Sequence, residues 1–210
     1  MRLGLLGGTF DPVHLGHLLL AECCREQLRL DRVLFLPAAV PPHKRDRQLT
    51  PAAQRIEMLE LAIAGHSPFA VSRREIDRGG VSYTVDTLRQ FREEDPEGEL
   101  FLLMGADMLH DLPHWHEAET VCRLAVVAVV RRAGTGELDF TALAAVASPQ
   151  RIELFRRQQV EMPAIGLSST EIRRRAAAGQ SIRYQTPRAV EKYIEAQALY
   201  HPSSEDRERT

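Results

Sequence analysis

Two stretches of this chain carry no polar side chain at all, Leu100-Phe101-Leu102-Leu103-Met104 and Leu124–Val130. Each is short for a buried helix and too uniformly apolar for a strand with one wet face. Runs of this kind belong to strands covered on both sides, as in a parallel sheet with helices on each face. The remaining pattern agrees. Strand signals at Arg2–Leu6, Arg32–Leu36, Phe69–Ser72, Leu100–Met104 and Ala125–Val130 alternate with helix signals at Leu15–Leu28, Pro51–Ala64, Thr84–Glu94, Ala106–Leu112 and Leu138–Ala147. The expected fold is α/β, a doubly wound, mostly parallel sheet with a small helical part toward the C-terminus.

Helix punctuation sharpens the boundaries. Pro51 at a first turn, with Thr50 before it as N-cap, reads as a start. Gly179 after Ala176-Ala177-Ala178 reads as a stop, and a last helix at Pro187–Ala196 closes the fold. No repeat or linker divides the chain, so residues 1–200 are expected to form one domain. The polar, charged residues 201–210 are expected to be a disordered tail.

Composition excludes several roles. A length of 210 residues suits a single core, and a formal net charge of −2 argues against a general nucleic-acid binder. Arg131-Arg132 and Arg156-Arg157 read as solvated faces. No apolar run approaches membrane-spanning length, and the first residues read as a strand rather than a signal peptide. Cys23, Cys24 and Cys122 lack metal-ligand spacing, which points to reduced thiols that pack inside a cytosolic protein.

The chemistry concentrates at residues 7–17, Gly-Gly-Thr-Phe-Asp-Pro-Val-His-Leu-Gly-His, directly after the first strand. Glycines at such a turn let the backbone approach a ligand closely. A helix starting near Leu15 would aim unpaired N–H groups and a positive dipole end at an anion. His14 and His17, three apart, fall on one side of its first turn. Either histidine alone would more often be a packed or surface residue. The conjunction of strand, glycines, Phe10, Asp-Pro and paired histidines points to a phosphate-handling site.

Four further segments lie past predicted strand ends or at helix starts. Pro37-Ala38-Ala39-Val40-Pro41-Pro42-His43-Lys44 is a stiff loop that can bring Lys44 to a phosphate, or merely expose it. Arg78–Leu88 contains Gly79-Gly80, then Ser82 or Thr84 as a helix cap, with Tyr83 between them. Gly105-Ala106-Asp107 is followed by Pro113-His114-Trp115. This is the chain's single tryptophan, and core packing is its default role. Leu167-Ser168-Ser169-Thr170-Glu171-Ile172-Arg173 reads as a capped helix start whose hydroxyls and Arg173 also suit a triphosphate.

These segments together resemble the bacterial nicotinate-nucleotide adenylyltransferases, members of the nucleotidyltransferase α/β superfamily marked by His14-Leu15-Gly16-His17. The resemblance runs from Gly7 to about Tyr200. It implies a Rossmann-like fold and transfer of the adenylyl group of ATP to nicotinate mononucleotide in NAD biosynthesis, giving nicotinate adenine dinucleotide and pyrophosphate. It further implies catalytic roles for His14, His17, Lys44 and Arg173. ATP would be bound by Gly7, Gly8, Thr9, Phe10, His14, His17, Gly105, Asp107, Ser168, Ser169, Thr170 and Arg173. The pyridine nucleotide would meet Lys44, Tyr83, Thr84, Asp107 and Trp115, and the tryptophan would stack on the pyridine ring. Mg²⁺ would arrive with ATP rather than in a protein cage. The implied partners are these two small molecules, with neither nucleic acid nor membrane, and self-association is left open. Arg132-Ala133-Gly134 departs from the family's Arg-Pro-Gly, Leu167 from its Ile, and Gln197-Ala198 from its His-Gly. Alternatives within the superfamily are acceptors such as nicotinamide mononucleotide, pantetheine phosphate or glycerol phosphate. A nucleotide sensor with a degenerate site is the non-enzymatic one.

Overall fold

The computed structural model describes residues 1–41 and 49–200. His43, Lys44 and the predicted tail at 201–210 lie outside the described residues. Among the described residues six strands, β1 (Arg2–Gly8), β2 (Arg32–Pro37), β3 (Phe69–Val71), β4 (Glu99–Gly105), β5 (Val126–Arg132) and β6 (Val160–Met162), form one sheet. Their order is β3-β2-β1-β4-β5-β6, and every pairing is parallel. The helices are α1 (Leu15–Gln27), α2 (Ala52–Ile63), α3 (Arg74–Arg78), α4 (Thr84–Glu94), α5 (Ala118–Leu124), α6 (Pro149–Arg157), α7 (Ser169–Ala177) and α8 (Arg188–Ala196).

The apolar runs do what their composition requires. Successive strand residues face opposite sides of the sheet, so each run feeds two cores. Leu3, Leu5, Leu100, Leu102, Met104, Val127 and Val129 pack with Val85, Leu88 and Phe91 of α4 and Phe155 of α6. Leu6, Phe101, Leu103, Ala128 and Val130 pack on the other side with Cys24 of α1, Met58 and Leu59 of α2, and Ile172 of α7. Cys24 and Cys122 are buried, Cys23 is partly so, and all three thiols are free. The strand order reverses between β1 and β4. In such sheets that is where ligands sit, beyond the carboxyl ends of the strands, here at Gly8 and Gly105.

Local differences from the sequence reading have local causes. The helix expected over Ala106–Leu112 is replaced by two short 3₁₀ turns, Ala106–Met108 and Leu112–His114. Leu109 and Leu112 are buried three residues apart, a spacing that a three-residue turn satisfies. The helix expected over Leu138–Ala147 is a 3₁₀ turn at Thr141–Ala145, because the Asp139 carboxylate takes the Thr141 N–H at 2.8 Å and competes with helical bonding. Helices α3, α5 and α6 and the three-residue edge strand β6 were not expected. For α6 the signal was present: Ser148 caps it, accepting from Arg151 N–H, and Pro149 opens it. Arg131 and Arg132 lie inside β5, and Arg131 pairs with Glu161 on β6.

Thr50 does not cap α2. Its N–H donates to an Asp11 carboxylate oxygen at 3.2 Å, and its carbonyl accepts from Arg55 Nε at 2.9 Å. Arg55 is only 2% exposed. Its other two nitrogens donate to the Thr9 and Ala38 carbonyls, each at 2.9 Å. Burial pulls this guanidinium below its ordinary pKa, and the nearby Asp11 charge pulls it back. Replacing Arg55 by Met keeps the bulk and strands three carbonyl groups. We expect a loss of about 3 kcal/mol in urea unfolding. A loss under about 1 kcal/mol would mean that water satisfies those carbonyls instead.

Candidate active site

The loop after β1 is shaped by two glycines with different jobs. A Cβ on Gly8 would lie 2.9 Å from the Phe10 ring, so only glycine lets that buried ring fold back against the strand. A Cβ on Gly7 would meet nothing within 4 Å, so space is open in front of it. Phe10 sits edge-on to His17, with centroids 5.0 Å apart, and to Phe35 at 5.7 Å.

At the start of α1 the imidazoles of His14 and His17 are stacked, 3.7 Å between centroids and 17° between planes. The intervening Gly16 permits this, since a Cβ there would approach the His14 ring to 3.0 Å. The His14 backbone N–H donates to His17 Nδ1 at 3.3 Å, which leaves Nε2 as the hydrogen-bearing nitrogen of a neutral His17. His14 is 7% exposed, and burial lowers its pKa to about 4. It is therefore neutral near pH 7, and two stacked cations are avoided. Among the described residues, His14 Nδ1 is the one buried side-chain nitrogen or oxygen without a hydrogen-bond partner. Native proteins pair nearly all such atoms.

The loop is clasped by residues far along the chain. Arg173 Nη1 donates to the Asp11 carbonyl at 2.5 Å, Ser169 Oγ to the Pro12 carbonyl at 2.8 Å, and Thr186 Oγ1 to the Val13 carbonyl at 2.8 Å. The Leu15 N–H donates to the Gln185 carbonyl at 3.0 Å. The Tyr200 hydroxyl donates to the Asp11 carboxylate at 2.7 Å, and burial beside that carboxylate pushes the phenol pKa up. Ser168 caps α7 by accepting the Glu171 N–H at 3.2 Å, and Arg173 Nη2 donates to Thr170 Oγ1 at 3.2 Å.

Two cavities open at the carboxyl ends of the strands. The first, about 670 Å³, is bordered by Thr9, Phe10, His14, His17, Gly105, Asp107, Ser168, Ser169, Thr170 and Arg173. The second, about 710 Å³, is bordered by Gly7, Gly8, Tyr83, Thr84 and Trp115. Thr9, His17, Leu20 and Gly105 border both, so the cavities meet along one wall. Gly7 and Gly8, expected beside ATP, face the second cavity only. Asp107, expected beside both substrates, faces the first only. Trp115 is half-buried, packs against the core that holds α4, and borders the second cavity. Neither Ser82 nor Thr84 caps α4: Tyr83 occupies the N-cap position without a side-chain bond, and Ser82 Oγ accepts the Ala39 N–H at 2.9 Å.

The sequence reading missed Arg132, which borders the first cavity instead of a bare solvent face. Its position at the end of β5 was the available signal. Glu75, His114 and His116 on the second cavity were missed as well, and the His116 ring lies 4.4 Å from that of Tyr83. Among the described residues, no three His, Cys, Asp or Glu side chains stand close enough together to hold a metal ion.

A 3-2-1-4-5-6 sheet, with paired histidines at the first helix start and two joined cavities beyond the strand ends, is the frame on which the comparisons place a nucleotidyltransferase. A sequence model of the Cytidylyltransferase-like family matches residues 5–175, and the chain belongs to that family. Within it the chain groups with the nicotinate-nucleotide adenylyltransferases. It is 50% identical to the protein so named from Thermus thermophilus, covering 95% of this chain and 100% of that one. It is 47% identical to the one from Thermomicrobium roseum, covering 95% and 91%. The fold is shared with the Plasmodium falciparum nicotinic acid mononucleotide adenylyltransferase complexed with NaAD, at a TM-score of 0.74 and 17% identity over 95% of this chain and 97% of that one.

The neutral state of His14 has a measurable cost. Its folded pKa of about 4 lies below the ordinary 6.5, so between these values the unfolded chain binds the proton and the folded chain does not. Stability attributable to His14 is complete above about pH 6.5 and is lost as pH falls toward 4, by about 3 kcal/mol. Urea unfolding of wild type and His14→Asn across this range should show wild type losing the excess. Parallel pH profiles would exclude a neutral buried imidazole.

Proposed function

We propose that the first cavity holds ATP and the second holds nicotinate mononucleotide, and that the adenylyl group passes between them at the wall they share. The observation that carries this reading is that His17, Thr9 and Gly105 border both spaces. A mononucleotide seated in the second cavity would present its phosphate toward that wall. There it would meet the α-phosphate of an ATP whose remaining phosphates run toward the start of α7. Attack on the α-phosphorus forms the new P–O bond as the bond to pyrophosphate breaks.

A phosphate nucleophile is already ionised near pH 7, so the site needs alignment and charge compensation more than a base. His17, with its hydrogen on Nε2, is a donor for the transferring phosphate. Arg173 supplies full positive charge, the N-termini of α1 and α7 add partial charge, and His14 contributes a neutral imidazole. Lys44, in the loop after β2, is proposed to add a second cation. Ser168, Ser169 and Thr170 offer hydroxyls or backbone N–H groups to the triphosphate, and Asp107 offers a carboxylate to the nucleotide sugar. Tyr83, Thr84 and Trp115 would enclose the pyridine ring, the indole by stacking.

A divalent ion, proposed to be Mg²⁺, would enter the first cavity bound to the triphosphate, with protein oxygens close by. Asp107 and Glu137 border it with exposed carboxylates, and the oxygens of Thr9, Ser168 and Thr170 add neutral donors. Asp11 is already engaged by Thr50 and Tyr200. Bound to the triphosphate, the ion would neutralise charge on the departing pyrophosphate.

Among the described residues no helix is long and apolar enough to cross a membrane. The three free thiols support a reducing compartment, and we place the enzyme in the cytosol. Residues 1–200 are proposed to act as one domain.

His17→Ala should fold and bind both substrates, with turnover reduced about a hundred-fold or more. Near-wild-type turnover would remove His17 from the mechanism. With ATP and Mg²⁺, turnover of nicotinate mononucleotide should exceed that of nicotinamide mononucleotide and pantetheine phosphate measured side by side. A preference for the amide would overturn the acceptor while leaving the transfer chemistry in place.

A further inference from the structure

The second cavity contains a carboxyl group that the mechanism above does not use. Glu75 of α3 is 7% exposed and borders the space proposed for an anionic substrate. Burial raises its pKa, and hydrogen bonds from Ser82 and Thr87, with the charge of Arg78, oppose that rise. The Thr87 hydroxyl donates to Glu75 Oε1 at 3.0 Å while accepting from Arg78 Nη2 at 3.0 Å, and Arg78 Nη1 donates to the Gln90 side-chain oxygen at 3.1 Å. Ser82 Oγ, bonded to Glu75 on one side, accepts the Ala39 N–H on the other. Backbone contacts run alongside: the Ser82 N–H donates to the Val40 carbonyl at 3.0 Å, and Val40 bridges Val81 in parallel.

The turn so held needs holding. Gly79 and Gly80 both have positive φ, 68° and 67°, and the turn enters α4 at Tyr83 without a side-chain cap. Its outer residues Tyr83 and Thr84 border the cavity, as do Ala38 and Pro41 of the loop after β2. Glu75 is thus the common acceptor beneath the α4 entrance, and Ser82 links it to the β2 loop across the cavity wall.

We propose that Glu75 is a positioning residue for the mononucleotide subsite, fixing the Ser82–Thr84 turn against the β2 loop so that Tyr83 and Thr84 meet the pyridine. This rests on the reading that the second cavity takes the mononucleotide. The carboxylate suits the task because it accepts from both hydroxyls at once. An amide of the same size has one acceptor oxygen and turns its NH₂ toward the second hydroxyl. Ser82 and Thr87 already receive the Ala39 N–H and the Arg78 guanidinium, so that mismatch loosens the turn.

The test compares wild type, Glu75→Gln and Thr87→Val. Trp115 is the sole tryptophan and borders the subsite, so its fluorescence reports mononucleotide binding without turnover. In Glu75→Gln, Kd and KM for nicotinate mononucleotide should rise about ten-fold while KM for ATP and kcat stay within about two-fold. Thr87→Val should show part of the same effect, and Tm should fall by only a few degrees in both. Unchanged mononucleotide binding in Glu75→Gln overturns the proposal, as does a parallel rise in both KM values with a large fall in Tm. Wild-type fluorescence that does not respond to the mononucleotide overturns the subsite assignment itself. Which protein fails tells the two apart.

Discussion

The Arg55 side chain is enclosed by protein, yet every nitrogen it carries reaches a backbone carbonyl: Thr50 at the start of α2, Thr9 after β1 and Ala38 after β2. A parallel sheet fixes where its strands end but leaves the loops beyond free to diverge. A planar guanidinium with fork geometry sets the spacing of three such segments in one group. Asp11, engaged by Thr50 and Tyr200, supplies the compensating negative charge nearby. The wall shared by the two cavities includes Thr9, so their junction inherits its position from this buried cation.

The same economy governs the histidines. Two imidazolium rings stacked at 3.7 Å would repel each other, and the burial of His14 removes that conflict by keeping it neutral. Arg173 and Arg132 both border the first cavity, so guanidinium groups rather than imidazolium rings lie beside it. Charge and shape are thereby divided: arginines line the first cavity, while the glycine-permitted packing of Phe10, His14 and His17 shapes its wall.

Most of the architecture was legible because it follows from composition over several residues. Strands buried on both faces and a glycine-rich turn into a helix are strong local signals, and β1, β4, β5 and the start of α1 followed from them. The short elements were not. In the 3₁₀ turns, Leu109 with Leu112 and Phe140 with Leu143 satisfy a helical pattern and a three-residue turn equally well. Edge strand β6 has too few residues to show a period. Within the site, the described motif residues converge on the cavities, but their division between the two depends on which side of β1 and β4 each backbone faces. Sequence alone does not show that Gly7 and Gly8 line the second cavity and Asp107 the first. Arg55 and Glu75 were invisible for a different reason: in sequence a buried charged residue looks like a solvated one, and only its tertiary partners distinguish it.

The clasp on the loop after β1 also bears on how the site comes into being. Its hydrogen bonds join residues 157, 162, 173 and 189 positions apart. Contacts of such separation carry the full entropic cost of closing a long loop and return nothing until the closure is made. The β1–β2 and β2–β3 pairs can form while the chain is still being synthesised. The carbonyls of Asp11, Pro12 and Val13 must wait for residues 169–200. The first segment made thus takes its full set of contacts only once residues 169–200 are in place.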